Sequence, residues 1–172
     1  DIADLAARRS GIRKDYFEKV DEKPTDSFLY MLAMNTFTMN TSMNPFENTL
    51  SSDKLFNKQA EVIQEIADKD DCIIVGRCAG YILRDEPKCV RIYISADKDF
   101  RTKRIMASDH LDEKEAQKKI HSMDKKRDSY FGYYAGQDWK ACHTYDLSIS
   151  TSALGIDKAV DLICQYIDIK FK

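Results

Sequence analysis

Residues 72–84 read CIIVGRCAGYILR and hold the strongest structural signals in this 172-residue chain. The apolar run 72–75 predicts a short buried strand, which ends at Gly76 and is followed at once by Arg77. In open α/β sheets, ligands bind beyond the carboxyl ends of strands. A glycine there admits a ligand close to the backbone, and an arginine offers a fork of donors that suits phosphate. Gly76 and Arg77 are therefore candidate phosphate-binding residues, although a surface arginine paired with a nearby acid fits this position equally well.

Helices are predicted around this stretch from hydrophobic periodicity and capping residues. From Ser52, one helix face comprises Leu55, Gln59, Val62, Ile63, Ile66 and Ala67. Asp97 is a suitable N-cap for a second helix, and Asp112 with Glu115 forms a capping box for a third. The last helix begins after Gly155, and its apolar face comprises Ala159, Leu162, Ile163 and Tyr166.

Two further strands are predicted at 90–96 and 145–151. Strands that alternate with helices are typical of α/β units around a parallel sheet. Three strands are few for such a sheet, so we expect at least one more strand upstream of residue 1. The sequence therefore predicts an α/β domain built on a parallel sheet.

The composition excludes several classes of partner. The chain has 27 Lys and Arg against 29 Asp and Glu, whereas proteins that bind nucleic-acid polymers or membrane surfaces are normally basic. No apolar run reaches the roughly 20 residues that span a bilayer, and we expect no signal peptide. The five cysteines contain no CxxC pair, so we expect free thiols in a reducing cytoplasm. The three histidines show no spacing typical of metal ligands.

Clusters of basic residues lie on two of the predicted helices. Arg101 and Arg104 share a face of the helix after the second strand, and Asp124 and Arg127 share a face of the next helix, with Lys125 between them. Each cluster alone is more often a solvated face. Several arginine-bearing elements at one rim of a sheet, however, can grip a phosphate and neutralise a transferring phosphoryl group.

The chain resembles the cytidylate-kinase-like family of P-loop nucleoside monophosphate kinases along nearly its whole length. The stretches that resemble the family are CIIVGRCAGYILR, RIYISADKDFRTKRIM, KKIHSMDKKRDSYFGYYAGQDW and YDLSISTSALGIDKAVDLI. The resemblance implies a single domain over 1–172 with a parallel sheet of P-loop NTPase type flanked by helices. It also implies a helical lid at 110–141 and a small acceptor-recognition insertion at 13–53.

The resemblance also implies roles for individual residues. Those expected to bind the acceptor nucleotide are Gly76, Arg77, Arg101 and Asp124. Those expected to act on the transferring phosphoryl group are Arg127, Arg104 and Lys125. Those expected to line the ATP base are Thr151, Ser152 and Ala153. The implied reaction moves the γ-phosphoryl group of ATP, with Mg²⁺, to a small phosphorylated acceptor, and CMP or dCMP is the expected acceptor.

Two departures from the family pattern leave alternatives open. The glycine-rich phosphate loop does not occur in this sequence, and we expect it before residue 1, upstream of a helix over residues 1–10. Cytidylate kinases also have an Asp where this chain has Val75. A non-catalytic, nucleotide-binding regulatory domain of the same fold is therefore a second hypothesis, and an interaction module without a small ligand is a third.

Overall fold

The computed structural model describes residues 45–172, with side-chain detail from Asp53 onward. The predicted helix over residues 1–10 and most of the predicted insertion 13–53 lie outside these described residues. The chain divides into two compact units. Unit 1 comprises residues up to Asp85 together with Ser129–Gly136, and unit 2 comprises Glu86–Asp128 and Gln137–Lys172.

The described elements follow one another in chain order. They are α1 (Pro45–Lys69), α2 (Ala79–Ile82), β1 (Ile92–Ser95), α3 (Lys98–Asp109), α4 (Glu113–Ala135), a 3₁₀ turn (Cys142–Thr144), β2 (Leu147–Ser150), α5 (Thr151–Leu154) and α6 (Ile156–Lys170). None of these helices is long and apolar enough to cross a lipid bilayer.

Helix α1 contributes three of the buried apolar side chains that are described in unit 1. Leu55, Val62 and Ile63 are buried on the face that the periodicity predicts. Each such side chain contributes about 1.5–3 kcal/mol when it leaves water. Gln59 lies on the same face and is also buried, and its Oε1 accepts a hydrogen bond of 3.3 Å from the Tyr130 hydroxyl. The sequence prediction for this helix is therefore confirmed.

The predicted strand at 72–75 is wrong. These residues form neither helix nor strand, and Ile73 and Val75 are 95% and 85% exposed. A strand needs a hydrogen-bonding neighbour to satisfy its backbone groups, and no described segment pairs with 72–75. An apolar run alone carries no information about whether such a neighbour exists, which is why the sequence pattern was misleading here.

Capping residues set the limits of the helices in unit 2. The Glu115 amide donates to Asp112 Oδ1 at 2.8 Å, and the Asp112 amide donates to Glu115 Oε2 at 3.3 Å, which confirms the predicted capping box before α4. Asp97 occupies the N-cap of α3, as predicted, but its side chain makes no capping hydrogen bond. Gly155 precedes α6 with a positive φ of 81°, a backbone conformation that favours glycine.

Strands β1 and β2 pair in parallel, with Ile92 opposite Leu147 and Ser95 opposite Ser150. Parallel neighbours require a long crossover, which here contains α3 and α4. The predicted strands at 90–96 and 145–151 are thus confirmed in shorter form. Within residues 45–172 the fold is a helix-rich α/β arrangement around a two-stranded parallel sheet, and the larger sheet of a P-loop fold is not present in this part of the chain.

An ion pair joins the amino ends of the two strands. Arg91 precedes β1, and its side chain donates to Asp146, which precedes β2, at 2.9 Å from Nη2 to Oδ1 and 3.3 Å from Nε to Oδ2. The Arg91 amide also donates to Asp146 Oδ2 at 2.7 Å. These bonds lower the pKa of Asp146 and hold the strands in register at the end opposite to the start of α3.

Candidate functional site

The centre of the candidate site is an ion pair between two helices of unit 2. Arg101 lies in the first turn of α3, which follows the carboxyl end of β1, and Asp124 lies in the middle of α4. Arg101 donates from Nη1 to Asp124 Oδ2 at 2.7 Å and from Nη2 to Oδ1 at 2.6 Å. The pair is therefore bidentate, which is the strongest geometry available to a guanidinium and a carboxylate.

The electrostatics of this pair leave a surplus of positive charge. Hydrogen bonds from Arg101 are the main reason why the pKa of Asp124 is lowered, and the charges of Lys140 and Arg127 lower it further. Arg127 Nη1 lies 3.9 Å from Asp124 Oδ1. Asp124 thus faces three cations, and the charge of a second carboxylate, Asp138, also acts on the neighbouring Tyr93. Three cations against two carboxylates suit an anion such as phosphate.

An aromatic group lies beside the ion pair, formed by Tyr93, Trp139 and Tyr145; we call it the Trp139 cluster. Tyr93 meets Trp139 edge to face, with ring centroids 5.7 Å apart, and stacks on Tyr145 at 5.0 Å. Burial raises the pKa of Tyr93, and the charge of Asp124 raises it further, which indicates that the Tyr93 hydroxyl is close to the ion pair. These rings reduce the access of water to one side of the charged group.

Arg104 and Lys125, which were predicted to act on the transferring phosphoryl group, have exposed side chains. Neither forms an ion pair with another residue of the described part of the chain. Their roles remain predictions.

The predicted residues Gly76 and Arg77 lie in unit 1, in a turn of unusual backbone conformation. Gly76, Arg77 and Cys78 all have positive φ angles, of 75°, 59° and 54°. For a residue with a side chain, this left-handed region costs about 1–2 kcal/mol. Strained residues of this kind cluster at functional sites. Because 72–75 is not a strand, the argument from strand ends no longer supports Arg77, and its predicted role depends on the family resemblance and on this turn.

Arg77 is partly buried beside an aromatic group in unit 1. Burial lowers the pKa of Arg77, and the nearby Tyr130 opposes this shift. Burial also raises the pKa of Tyr130, whose ring lies 4.8 Å from that of Tyr134, and Tyr134 in turn stacks on Phe56 at 3.9 Å. Burial raises the pKa of the neighbouring Cys78 thiol to about 12, so this thiol is not a nucleophile at neutral pH.

The residues predicted to line the ATP base lie at the carboxyl end of β2, in the short helix α5. The Thr151 hydroxyl donates to the Ser95 carbonyl at 3.0 Å, and the Ser152 hydroxyl accepts from the Asp97 amide at 3.0 Å. Both side chains therefore join the carboxyl ends of the two strands. Ala153 is exposed. A contact with a base would have to come from the backbone of this segment, which stays a prediction.

Sequence reasoning missed part of this site. It paired Asp124 with Arg127, three residues away, whereas the strongest partner of Asp124 is Arg101, 23 residues away on another helix. It also gave no role to Tyr93 or Lys140. The sequence offered one signal for a role of Lys140: it follows Trp139 directly and lies close to a helix rich in charged residues.

The described side chains do not form a site for a metal ion. Within the described residues, no group of three or more His, Cys, Asp or Glu side chains is placed to hold one. Magnesium takes several oxygen ligands, and the charged groups that the described residues bring together here are mainly guanidinium and ammonium groups.

Arginine donors suit phosphate groups, and ligands of open α/β sheets bind beyond the carboxyl ends of the strands, where α3 begins with Arg101. The sequence profile of the cytidylate kinase-like family matches residues 1–153. The chain therefore belongs to the cytidylate kinase-like family.

Individual relatives agree with this assignment. The chain is 31% identical over 103 residues to a cytidylate kinase of Sulfolobus acidocaldarius, covering 60% of this chain and 56% of that protein. It is 27% identical over 111 residues to a cytidylate kinase of Methanoculleus marisnigri, covering 64% and 59%. The matched region thus spans a little over half the length of these relatives. A crystal structure of an uncharacterized protein from Eubacterium ventriosum is similar with a TM-score of 0.65 and 37% identity, covering 67% of this chain and 73% of that one.

Proposed function

We propose that the protein is an ATP-dependent phosphotransferase of the nucleoside monophosphate kinase type, and that its acceptor is CMP or dCMP. The observation that carries this proposal is the bidentate Arg101–Asp124 pair, with Arg127 and Lys140 beside it. Family membership supports the reaction class, and the fact that two relatives are cytidylate kinases supports the acceptor.

In this proposal Asp124 positions Arg101 for a phosphate. A guanidinium has five N–H donors in a fixed plane, and Asp124 takes two of them. The three that remain lie in the same plane, so a phosphate oxygen approaching the Nε edge meets donors whose direction is already set. Such preorganisation lowers the conformational entropy that is lost when the ligand binds.

Arg127 acts on the transferring group in this proposal. Its side chain is 52% exposed, so its guanidinium can reach a ligand while it stays next to Asp124. Phosphoryl transfer spreads negative charge over the equatorial oxygens, and a positioned arginine stabilises that charge. Arg104 and Lys125 add positive charge from their exposed positions. Gly76 and Arg77 are proposed to bind the acceptor phosphate from their left-handed turn in unit 1.

A matched pair of variants in the full-length protein tests the proposal. Arg101→Gln and Arg91→Gln each remove one arginine from a bidentate pair of nearly equal exposure, and only Arg101 follows a carboxyl strand end. ADP release is measured with ATP, Mg²⁺ and CMP, dCMP, UMP, AMP or GMP. We expect transfer to CMP or dCMP, a loss of at least about tenfold in kcat/KM for Arg101→Gln, and little change for Arg91→Gln.

Two results would contradict the proposal. A wild-type protein that transfers phosphate to none of the five monophosphates is not a kinase of this type. Equal losses in both variants would show that Arg101 acts only through folding, and thermal melting of both variants measures that contribution directly.

A second candidate function is supported by Val75. This residue is 85% exposed at the position where cytidylate kinases have an Asp, so no carboxylate is present there to organise a metal. A nucleotide-binding regulatory domain without turnover would retain Arg101 and not need that carboxylate. Calorimetry with CMP together with the ADP-release assay separates the two functions, because both bind the nucleotide but only the kinase releases ADP when ATP is added.

A further inference from the structure

Trp139 contacts the charged part of the site as well as its aromatic neighbours. The guanidinium carbon of Arg127 lies 6.0 Å from the centroid of the Trp139 ring, and Lys140 Nζ lies 5.9 Å from it. Both distances are within the range in which a cation is attracted to the ring face. The single tryptophan of the chain therefore lies next to the arginine that the proposed reaction needs most.

The position of Trp139 is itself well determined. Its ring meets Tyr93 edge to face at 5.7 Å, and its backbone carbonyl accepts a hydrogen bond of 2.7 Å from the Tyr145 hydroxyl. Tyr93 belongs to β1, and Tyr145 immediately follows the 3₁₀ turn before β2. The ring face that Arg127 meets is thus held by the strands of unit 2.

The described contacts of the Arg127 side chain are weaker than those that fix Trp139. Its distance to Asp124 is 3.9 Å, and the bidentate bonds of Asp124 go to Arg101. An arginine side chain has about 2 kcal/mol of rotamer entropy to lose when it is fixed. A flat ring face restricts the plane of the guanidinium, and it leaves the N–H donors at the edge available to a ligand.

We propose that Trp139 is a positioning residue, which holds the guanidinium of Arg127 in the plane required for contact with a transferring phosphoryl group. This inference rests on the proposed function and extends it. Trp139 touches neither substrate in this role and acts only through Arg127. An aliphatic side chain of similar size fills the same space but presents no negative ring face.

Kinetics of Trp139→Leu and Trp139→Phe in the full-length protein test this role, with ATP and CMP as substrates. Exposed cation–π contacts are worth a factor of about two to five in an equilibrium. We therefore expect Trp139→Leu to lower kcat about two- to fivefold with the KM for CMP nearly unchanged. Trp139→Phe keeps a ring face and should stay within about twofold of the wild type.

The double variant Arg127→Gln/Trp139→Leu shows whether Trp139 acts through Arg127. If it does, the double variant is no slower than Arg127→Gln alone, because the positioned group is already absent. Multiplied losses in the double variant would overturn the inference. Unchanged kcat in Trp139→Leu would also overturn it, while the proposed function would stand because the wild type remains active.

Fluorescence keeps the inference testable if Trp139→Leu fails to fold. Trp139 is the only tryptophan of the sequence, so the emission comes from this ring alone, and Lys140 and Tyr93 remain beside it when Arg127 is changed. Arg127→Gln removes the cation from the ring face and should change the emission intensity and increase quenching by acrylamide. No change in either would show that the contact does not exist in solution, and would overturn the inference. A wild type without phosphate transfer would refute the proposed function, and the inference with it.

Discussion

Replacing Arg101 by Gln and Asp124 by Asn, singly and together, measures the coupling free energy of their ion pair. Two unit charges about 4 Å apart attract by about 4 kcal/mol at the effective dielectric constant of a protein surface. The cost of taking both charges partly out of water offsets some of this attraction. In fully exposed pairs, screening by solvent leaves a net contribution of only about 0–1 kcal/mol. The two side chains are 32% and 17% exposed and bidentate, so we expect a coupling of about 2 kcal/mol.

The Arg91–Asp146 pair provides a matched control for this cycle. Its side chains are 33% and 19% exposed, and it is also bidentate. Urea unfolding of both cycles should therefore give similar coupling free energies in the absence of ligand. Addition of CMP should separate them, because a ligand that binds only the native state raises stability. We expect CMP to stabilise the Arg91→Gln variant, but not the Arg101→Gln variant.

Acid should remove the contribution of the same pair. The folded protein lowers the pKa of Asp124, so the stabilisation is complete above the usual pKa of an aspartate. It is lost as the pH falls from about 4 through the lower folded value. Asp124→Asn should therefore flatten the pH dependence of unfolding below about pH 4, while the contribution of Asp146 remains. A coupling below about 0.5 kcal/mol, with unchanged acid dependence, would refute the reasoning about this pair.

Other predictions concern single residues and the lid. Arg127→Ala should lower kcat by roughly 10²–10⁴ with a smaller change in CMP affinity, as steady-state kinetics would show; normal turnover would remove it from the mechanism. Arg77→Ala should weaken CMP binding by about 2–4 kcal/mol in calorimetry; equal affinity would exclude it from the site. Gly76→Ala should destabilise the protein by about 1 kcal/mol in urea unfolding, because its φ of 75° is strained for alanine. The loss should be no larger, since an added Cβ meets no atom within 4 Å. Residues 110–141 should exchange amide hydrogens faster than α6 and gain protection from a bisubstrate analogue; full protection without ligand would contradict the lid.

Local signals predicted the helices well. The periodicity over 55–67 places Leu55 and Ile63 in the interior, because a 3.6-residue repeat can bury only one face. The capping box of Asp112 and Glu115 forms as expected, since both partners lie within one helical turn. Such features depend on neighbours in sequence, and the sequence contains all of the information they need.

Features that depend on distant partners were not predictable in the same way. The strand expected at 72–75 requires a neighbouring strand, and no described segment provides one. The contact of Arg101 with Asp124 depends on how α3 and α4 pack, and no spacing rule links residues 23 apart. Gly132 lies within α4, where no helix signal in the sequence accounts for it, and Gly136 follows the end of that helix with a φ of 65°. A glycine in a helix lowers stability by about 1 kcal/mol, which neighbouring contacts can offset.

The burial of Cys78 has a consequence for the chemical durability of the protein. Oxidants and alkylating reagents attack the thiolate, and a thiol with a pKa of about 12 is ionised in only roughly one molecule in 10⁵ at neutral pH. Cys72, Cys142 and Cys164 are exposed. Peroxide should therefore oxidise these three surface thiols first. Cys78, which follows Gly76 and Arg77 in the turn, should still be unmodified when the exposed cysteines have reacted.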